Sequence, residues 1–321
     1  MLRLFFAIIL LSVSASPSFG ESEKQGPIRV FILAGQSNME GQAVVDLDHP
    51  KYYNGGKGTL QYLLRDPKKA KRFRHLQTKD GKWVVRDDVF IRFRTKRGVR
   101  KGGLSIGFTS YPGKHHFGPE LQFGHVVGNH FQEPVVLIKT AWGGKSLFQD
   151  FSPPSSGGKV GAFYTKMVNE IHEALTTLGQ DFPQLKGRQY ELTGFVWFQG
   201  WNDMFNTKAR AEYESNLAHL ISDIRKELKR PHLPSVIGEL GNGGPKASKN
   251  MLDIRRAQAA VARRTEFKGS VAFVETSSFA RPAKESPNVG HGHHWFGNAE
   301  SYFLIGDALG RGMVRLLKTA K

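Results

Sequence analysis

Ser37 lies in the run Gly35-Gln36-Ser37-Asn38-Met39-Glu40-Gly41, directly after the apolar stretch from Ile28 to Ala34. A β-branched and aromatic stretch without helical period reads as a buried strand, and the two flanking glycines bracket the turn that follows it. The serine is thereby set at a strand's carboxyl end, the edge at which α/β sheets hold their ligands. It is a candidate nucleophile. A serine hydroxyl is nearly inert at neutral pH, so this reading requires a general base and donors for the oxyanion that forms on attack.

A base is available near the end of the chain, in Gly290-His291-Gly292-His293-His294-Trp295-Phe296-Gly297-Asn298-Ala299. Three close histidines can also ligate zinc, but no carboxylate or further histidine follows at ligand spacing. A histidine base is therefore favoured, His294 first with His293 or His291 behind it, and neither a metal nor an organic cofactor is expected. Donors are offered by Gly143 and Gly144 in Thr140-Ala141-Trp142-Gly143-Gly144-Lys145-Ser146, although paired glycines also serve simple turns. The segment Trp197-Phe198-Gln199-Gly200-Trp201-Asn202-Asp203 adds an amide and an acid. Gln199 can donate to an oxyanion or cap a helix; Asp203 can orient the histidine or hold its own loop.

Positioning these groups requires strands that end together. Beyond Ile28–Ala34, apolar runs recur at 134–141, 192–200, 234–240 and 271–276, separated by helical periodicity at 119–131, 160–178, 209–228, 251–264 and 298–317. Alternating strands and helices predict a three-layer α/β/α sandwich around a mainly parallel five-stranded sheet of flavodoxin-like order. The stretch 46–116 is a long basic insertion, in which residues 81–91 read as an antiparallel hairpin rim rather than a separate domain.

Arg3 followed by apolar residues 4–13 and small residues up to Gly20 reads as a signal peptide, 1–20, too short to span a bilayer. The expectation is a secreted or periplasmic protein with a single domain over 21–321 and no stable membrane insertion after cleavage. With no cysteine the exported chain forms no disulfide and offers no thiol nucleophile. The formal charge is +18, and loss of Arg3 alone leaves +17. No nucleic-acid-binding motif accompanies that charge, so an anionic glycan or envelope surface is the expected polyanion. The densest basic segment, Arg65 to Lys101, also reads as a plain solvated face.

Taken together, the GQSNM turn, the A-x-G-G and W-x-Q-G segments and a late histidine before N-A-x-x-Y resemble the SGNH-type carbohydrate esterases, in particular the sialate O-acetylesterase and acetylxylan esterase group, carbohydrate esterase family 6. The resemblance implies that Ser37 attacks an acetyl carbonyl, that His294 takes its proton, and that the Ser37 N–H, Gly144 (or Gly143) and the Gln199 amide hold the oxyanion. Asn38, from the same turn as Ser37, completes the expected binding set. Two positions depart from the family pattern. Trp201 stands where relatives commonly have glutamate, and His291 occupies the position, three residues before His294, where the wider superfamily has aspartate. Either a Ser–His dyad operates, or Asp203 or another acid orients the ring.

The expected function is an exported serine esterase that removes O-acetyl groups from carbohydrate, such as acetylxylan or acetylated sialic acid, through an acyl-enzyme. The alternatives are a noncatalytic glycan-binding protein on the same scaffold and an SGNH lipase or thioesterase. Trp142, Trp201 and Trp295 lie in the motif segments, where aromatic rings either pack sugars or fill the core.

Overall fold

The computed structural model describes residues 26–319; residues 1–20, expected to be a signal peptide, lie outside them. Seven strands form the main sheet: β1 (Ile28–Gly35), β2 (Val89–Thr95), β3 (Gly98–Gly103), β4 (Val135–Ala141), β5 (Tyr190–Phe198), β6 (Ser235–Gly238) and β7 (Val271–Val274). Their order is β3-β2-β4-β1-β5-β6-β7, and every pairing is parallel except that of β2 with β3. Leaving out the β2–β3 hairpin, the order is the flavodoxin-like 2-1-3-4-5, with β1 at the crossover between its two halves.

The five principal helices are α1 (Glu120–His130), α2 (Ala162–Thr176), α3 (Thr207–Glu227), α4 (Lys249–Arg263) and α5 (Ala299–Thr319). Side chains alternate across β1. Val30, Ile32 and Ala34 pack with Met167, Leu217 and Ile254 of α2, α3 and α4, whereas Phe31 and Leu33 pack with Phe123 of α1 and Met313 of α5. Helices on both faces explain why the strands read as unbroken apolar runs. Asn206 and Ser248 start α3 and α4 by accepting the N–H groups of Ala209 and Met251.

The sheet has seven strands, not five, and the additional pair comes from the insertion. The hairpin lies over β2 and β3 rather than residues 81–91, where Trp83 makes only an isolated bridge to Gln77. Arg92 and Arg94 interrupt the apolar run of β2 and make it read as a surface strand. Arg92 is nevertheless 4% exposed, because Glu173 and Asp181 accept from it at 2.8 and 2.7 Å. Arg94 pairs with Glu173, Lys101 with Asp181, and Lys69 and Arg72 with Glu300. Part of the basic segment therefore docks the insertion onto acids of the helical layers. Arg100 and Lys101 also place charge on the sheet's β3 edge, which discourages pairing with other chains. No described helix is long and apolar enough to cross a membrane.

A fully buried ion pair joins the sheet to α1. Lys139, on β4, is fully buried with Glu120 at the start of α1, and its ammonium donates at 2.8 Å to the Glu120 carboxylate, the Glu40 carbonyl and the Phe108 carbonyl. All three protons are used. Glu120 also accepts from the Gly118 N–H. Removing one partner strands the other charge in the interior, at a cost of about 3–5 kcal/mol. Lys139→Met should lower urea-unfolding stability by about that amount, and adding Glu120→Gln should recover part of the loss; an unchanged midpoint for Lys139→Met would show that the pair contributes nothing.

Candidate active site

The strand register brings the chemistry to one edge. Gly35 pairs with Ala141 on one side and with Phe198 on the other, so these residues form one row at the carboxyl ends of β1, β4 and β5. Ser37, Gly143–Gly144 and Gln199 follow that row within three residues. The approach is close enough to require glycine at position 35, where a Cβ would lie 2.2 Å from the Phe198 carbonyl oxygen. Gln36 then stitches the nucleophile turn to β5, its side-chain oxygen accepting the Gly200 and Trp201 N–H groups at 3.2 and 3.1 Å.

Ser37 opens a single helical turn, Ser37–Glu40, and is 7% exposed. A Cβ on Gly143 would lie 3.6 Å from the Ser37 Cβ, which places this loop beside the serine, and both Gly143 and Gly144 are exposed. Gly144 has φ +71° with open space around it, so glycine is required there for the backbone alone. Among the described residues neither the Ser37 nor the Gly144 N–H has a protein acceptor. The Gly143 N–H faces the Glu40 carboxylate, which also accepts from Ser110 Oγ at 2.7 Å. Burial raises the Glu40 pKa, with Ser110, Lys139 and Gly143 opposing the rise. Through Ser110 the insertion forms one wall of the site.

Gln199 and Asp203 are engaged with the loop after β4. The Gln199 amide donates to the Lys145 carbonyl at 3.0 Å and to Asp203 at 2.6 Å, which uses both of its protons, and its oxygen accepts from Tyr213. Asp203, 1% exposed, also accepts the Leu147 and Phe148 N–H groups, both at 2.9 Å. Burial pushes its carboxyl up to about 6, against the pull of Gln199 and those two N–H groups. Among the described residues no hydrogen bond or ion pair joins Asp203 to a histidine. The structure brings it to the Gly143–Gly144 loop instead.

His293 and His294 sit on a 3₁₀ segment, Gly292–Gly297, preceded by His291, and its residues Trp295 and Phe296 both adopt left-handed φ, 51° and 55°. Adjacent bulky residues in that region are strained and require outside support. Asn38 donates to the His293 carbonyl at 3.1 Å while accepting from Tyr302 at 2.6 Å, and Asn242 donates to the His293 carbonyl at 2.8 Å. The loop is thus tied to the residue beside Ser37. Asn38 has a structural partner here and keeps one amide proton free. The His293 and His294 rings are 4.0 Å apart, with His291 5.6 Å from His293. No hydrogen bond links the Ser37 hydroxyl to a ring among the described residues, and no described group of histidines and acids is arranged to hold a metal ion.

Several contributors were not recognised in the sequence. Gln36 and Tyr302 lie inside the quoted motifs, so a signal existed for them. Asn242 follows β6 at the same sheet edge, a position that was itself the available clue. Ser110 had no signal, because its meeting with Glu40 depends on how the insertion folds.

A mainly parallel sheet between helices, with a serine turn at its crossover strand, defines an α/β fold with its candidate site at the strands' carboxyl ends. Over residues 27–286 the chain matches the carbohydrate esterase, sialic acid-specific acetylesterase family, and it belongs to that family. It is 24% identical over 251 residues to a probable carbohydrate esterase of Arabidopsis thaliana, covering 76% of this chain and 81% of that protein. An X-ray structure of an Arabidopsis thaliana protein superimposes with a TM-score of 0.57 at 16% identity, covering 90% of this chain and 99% of that one. A carbohydrate acetylesterase from Xanthomonas citri gives 0.53 at 14% identity, over 88% of this chain and 57% of that one. The chain is thus a carbohydrate esterase by family. The histidine loop lies beyond the matched residues.

Burial, with His293 and His291 adding like charge, lowers the His294 pKa to about 4. The ring is then neutral above that pH. Because the unfolded value is higher, acidification from about 6.5 downward favours the unfolded chain. The His294 ring resonance should titrate near pH 4 in the folded protein; a midpoint at the ordinary value of about 6.5 would show a solvated ring remote from its neighbours.

Proposed function

We propose that the chain is an exported serine esterase that removes O-acetyl groups from carbohydrate. The observation carrying this reading is the pair of unengaged N–H groups, of Ser37 and Gly144, flanking a serine whose neighbour Asn38 holds the histidine loop. His294 accepts the Ser37 proton as Oγ attacks the acetyl carbonyl, and the two N–H groups hold the oxyanion. The imidazolium returns the proton to the departing sugar oxygen, leaving an acetyl-serine. Water, deprotonated by the same ring, then releases acetate and restores the serine.

In this reading the catalytic pair is a dyad, and Asp203 with Gln199 secures the loop that bears Gly143 and Gly144. Membership of the carbohydrate esterase family and the likeness to an acetylesterase support the substrate class. Lys96 and Arg97, exposed at the tip of the β2–β3 hairpin and without an ion pair among the described residues, are among the cations open to an acidic glycan.

Acetate release from 4-nitrophenyl acetate, acetylated xylan and acetylated sialic acid tests the proposal. Ser37→Ala should abolish turnover and His294→Ala should lower it by about 10²–10⁴. Asp203→Asn keeps one acceptor but sets its NH2 against either the Leu147 or the Phe148 N–H, which go to different Asp203 oxygens, and should cost about 1–3 kcal/mol of stability. A loss of about 10⁴ in kcat at unchanged stability would instead assign Asp203 to the histidine. A folded protein inactive on all three substrates would favour the glycan-binding alternative.

A further inference from the structure

Of the three motif tryptophans, Trp142 is 9% and Trp295 2% exposed, so both are core. Trp201 is half-buried at the active edge, with its ring 5.8 Å from His293 on one side and 5.8 Å from Phe205 on the other. Phe205 is 66% exposed, the most exposed large hydrophobic side chain among the described residues. Scattered exposed aromatics are ordinary. This one continues a row that begins at the histidine loop, and its ring meets Trp201 at 70°, so the two form the walls of an open corner. The Gln36 side-chain oxygen, one residue before Ser37, accepts the Trp201 N–H and fixes the corner's distance from the nucleophile.

We propose that Trp201 and Phe205 form a subsite for a pyranose ring of the glycan, next to the sugar whose acetyl group faces Ser37. The inference rests on the esterase reading above and narrows its substrate to oligomeric or polymeric glycans. A pyranose presents an apolar C–H face flanked by hydroxyls, which suits an aromatic wall open to solvent on its outer side. Trp201 supplies ring area beside the histidine loop, and Phe205 extends it toward solvent. His293 closes the inner end of the row, which leaves the deeper His294 to the chemistry.

The test compares kcat/KM for acetylated xylohexaose with that for 4-nitrophenyl acetate. Phe205→Ala, at a surface position, should lower the ratio by about three- to tenfold, the equivalent of one lost ring contact, through KM rather than kcat. Phe205→Trp should restore it. Calorimetric binding of unacetylated xylohexaose to Ser37→Ala should weaken by the same factor when Phe205→Ala or Trp201→Ala is added. An unchanged ratio together with unchanged binding overturns the subsite. If no ester is cleaved at all, the esterase reading fails, and the binding comparison still decides the subsite.

Discussion

The buried ammonium of Lys139 is the contact on which the site's geometry depends. It joins four separate parts of the chain: β4, which carries it; α1, through Glu120; the turn of Ser37, through the Glu40 carbonyl; and the insertion, through the Phe108 carbonyl. A charge in a sheet interior is tolerated only when every proton finds an acceptor. That requirement fixes the four parts relative to one another more narrowly than apolar packing would. Burial lowers the Lys139 pKa, and Glu120 raises it in return. Glu40 is the last residue of the short turn opened by Ser37, which the Gly41 N–H closes on the Ser37 carbonyl, so one network couples stability to the placement of Ser37.

On the opposite side the histidine loop is held differently. Its ties are to backbone carbonyls, accepting from Asn38, Asn242 and, at 3.4 Å, Tyr302. Carbonyl anchors set the loop's path while the rings are held by packing on one another and on Trp201, and they offset the strain of two successive left-handed residues. The site is therefore held by hydrogen bonds where N–H groups point and by ring packing where the imidazoles lie.

Strand ends, and with them the active edge, were legible because apolar runs flanked by glycine have few other readings; the five runs became β1 and β4–β7. The β2–β3 hairpin was not legible. Arg92 and Arg94 look solvated until Glu173 and Asp181, far along the chain, are seen to neutralise them. Lys139 was hidden in the same way, as a single charge in an apolar run whose partner is Glu120. Ser37 and the glycine pair could be read from local spacing, since each occupies a strand end. For Asp203 the sequence left two roles open, and only folding shows that the Leu147 and Phe148 N–H groups occupy its oxygens.

That occupancy bears on the chemistry. An acid behind a catalytic histidine stabilises the imidazolium formed on proton transfer. With Asp203 committed to the loop after β4, and with His293 and His291 adding like charge, the same imidazolium is disfavoured, as the lowered His294 pKa expresses. A weaker base is less effective in removing the serine proton, so more of the barrier must be lowered at the oxyanion, by donors already in position. Asp203 and Gln199 act on that side. In the proposed mechanism, by ordering the loop of Gly143 and Gly144 they act on the placement of the oxyanion donors and not on the histidine. Such a division suits an ester of a sugar hydroxyl, whose leaving group departs more readily than the amine of an amide, and it accords with a family defined by acetylated carbohydrate rather than by peptides.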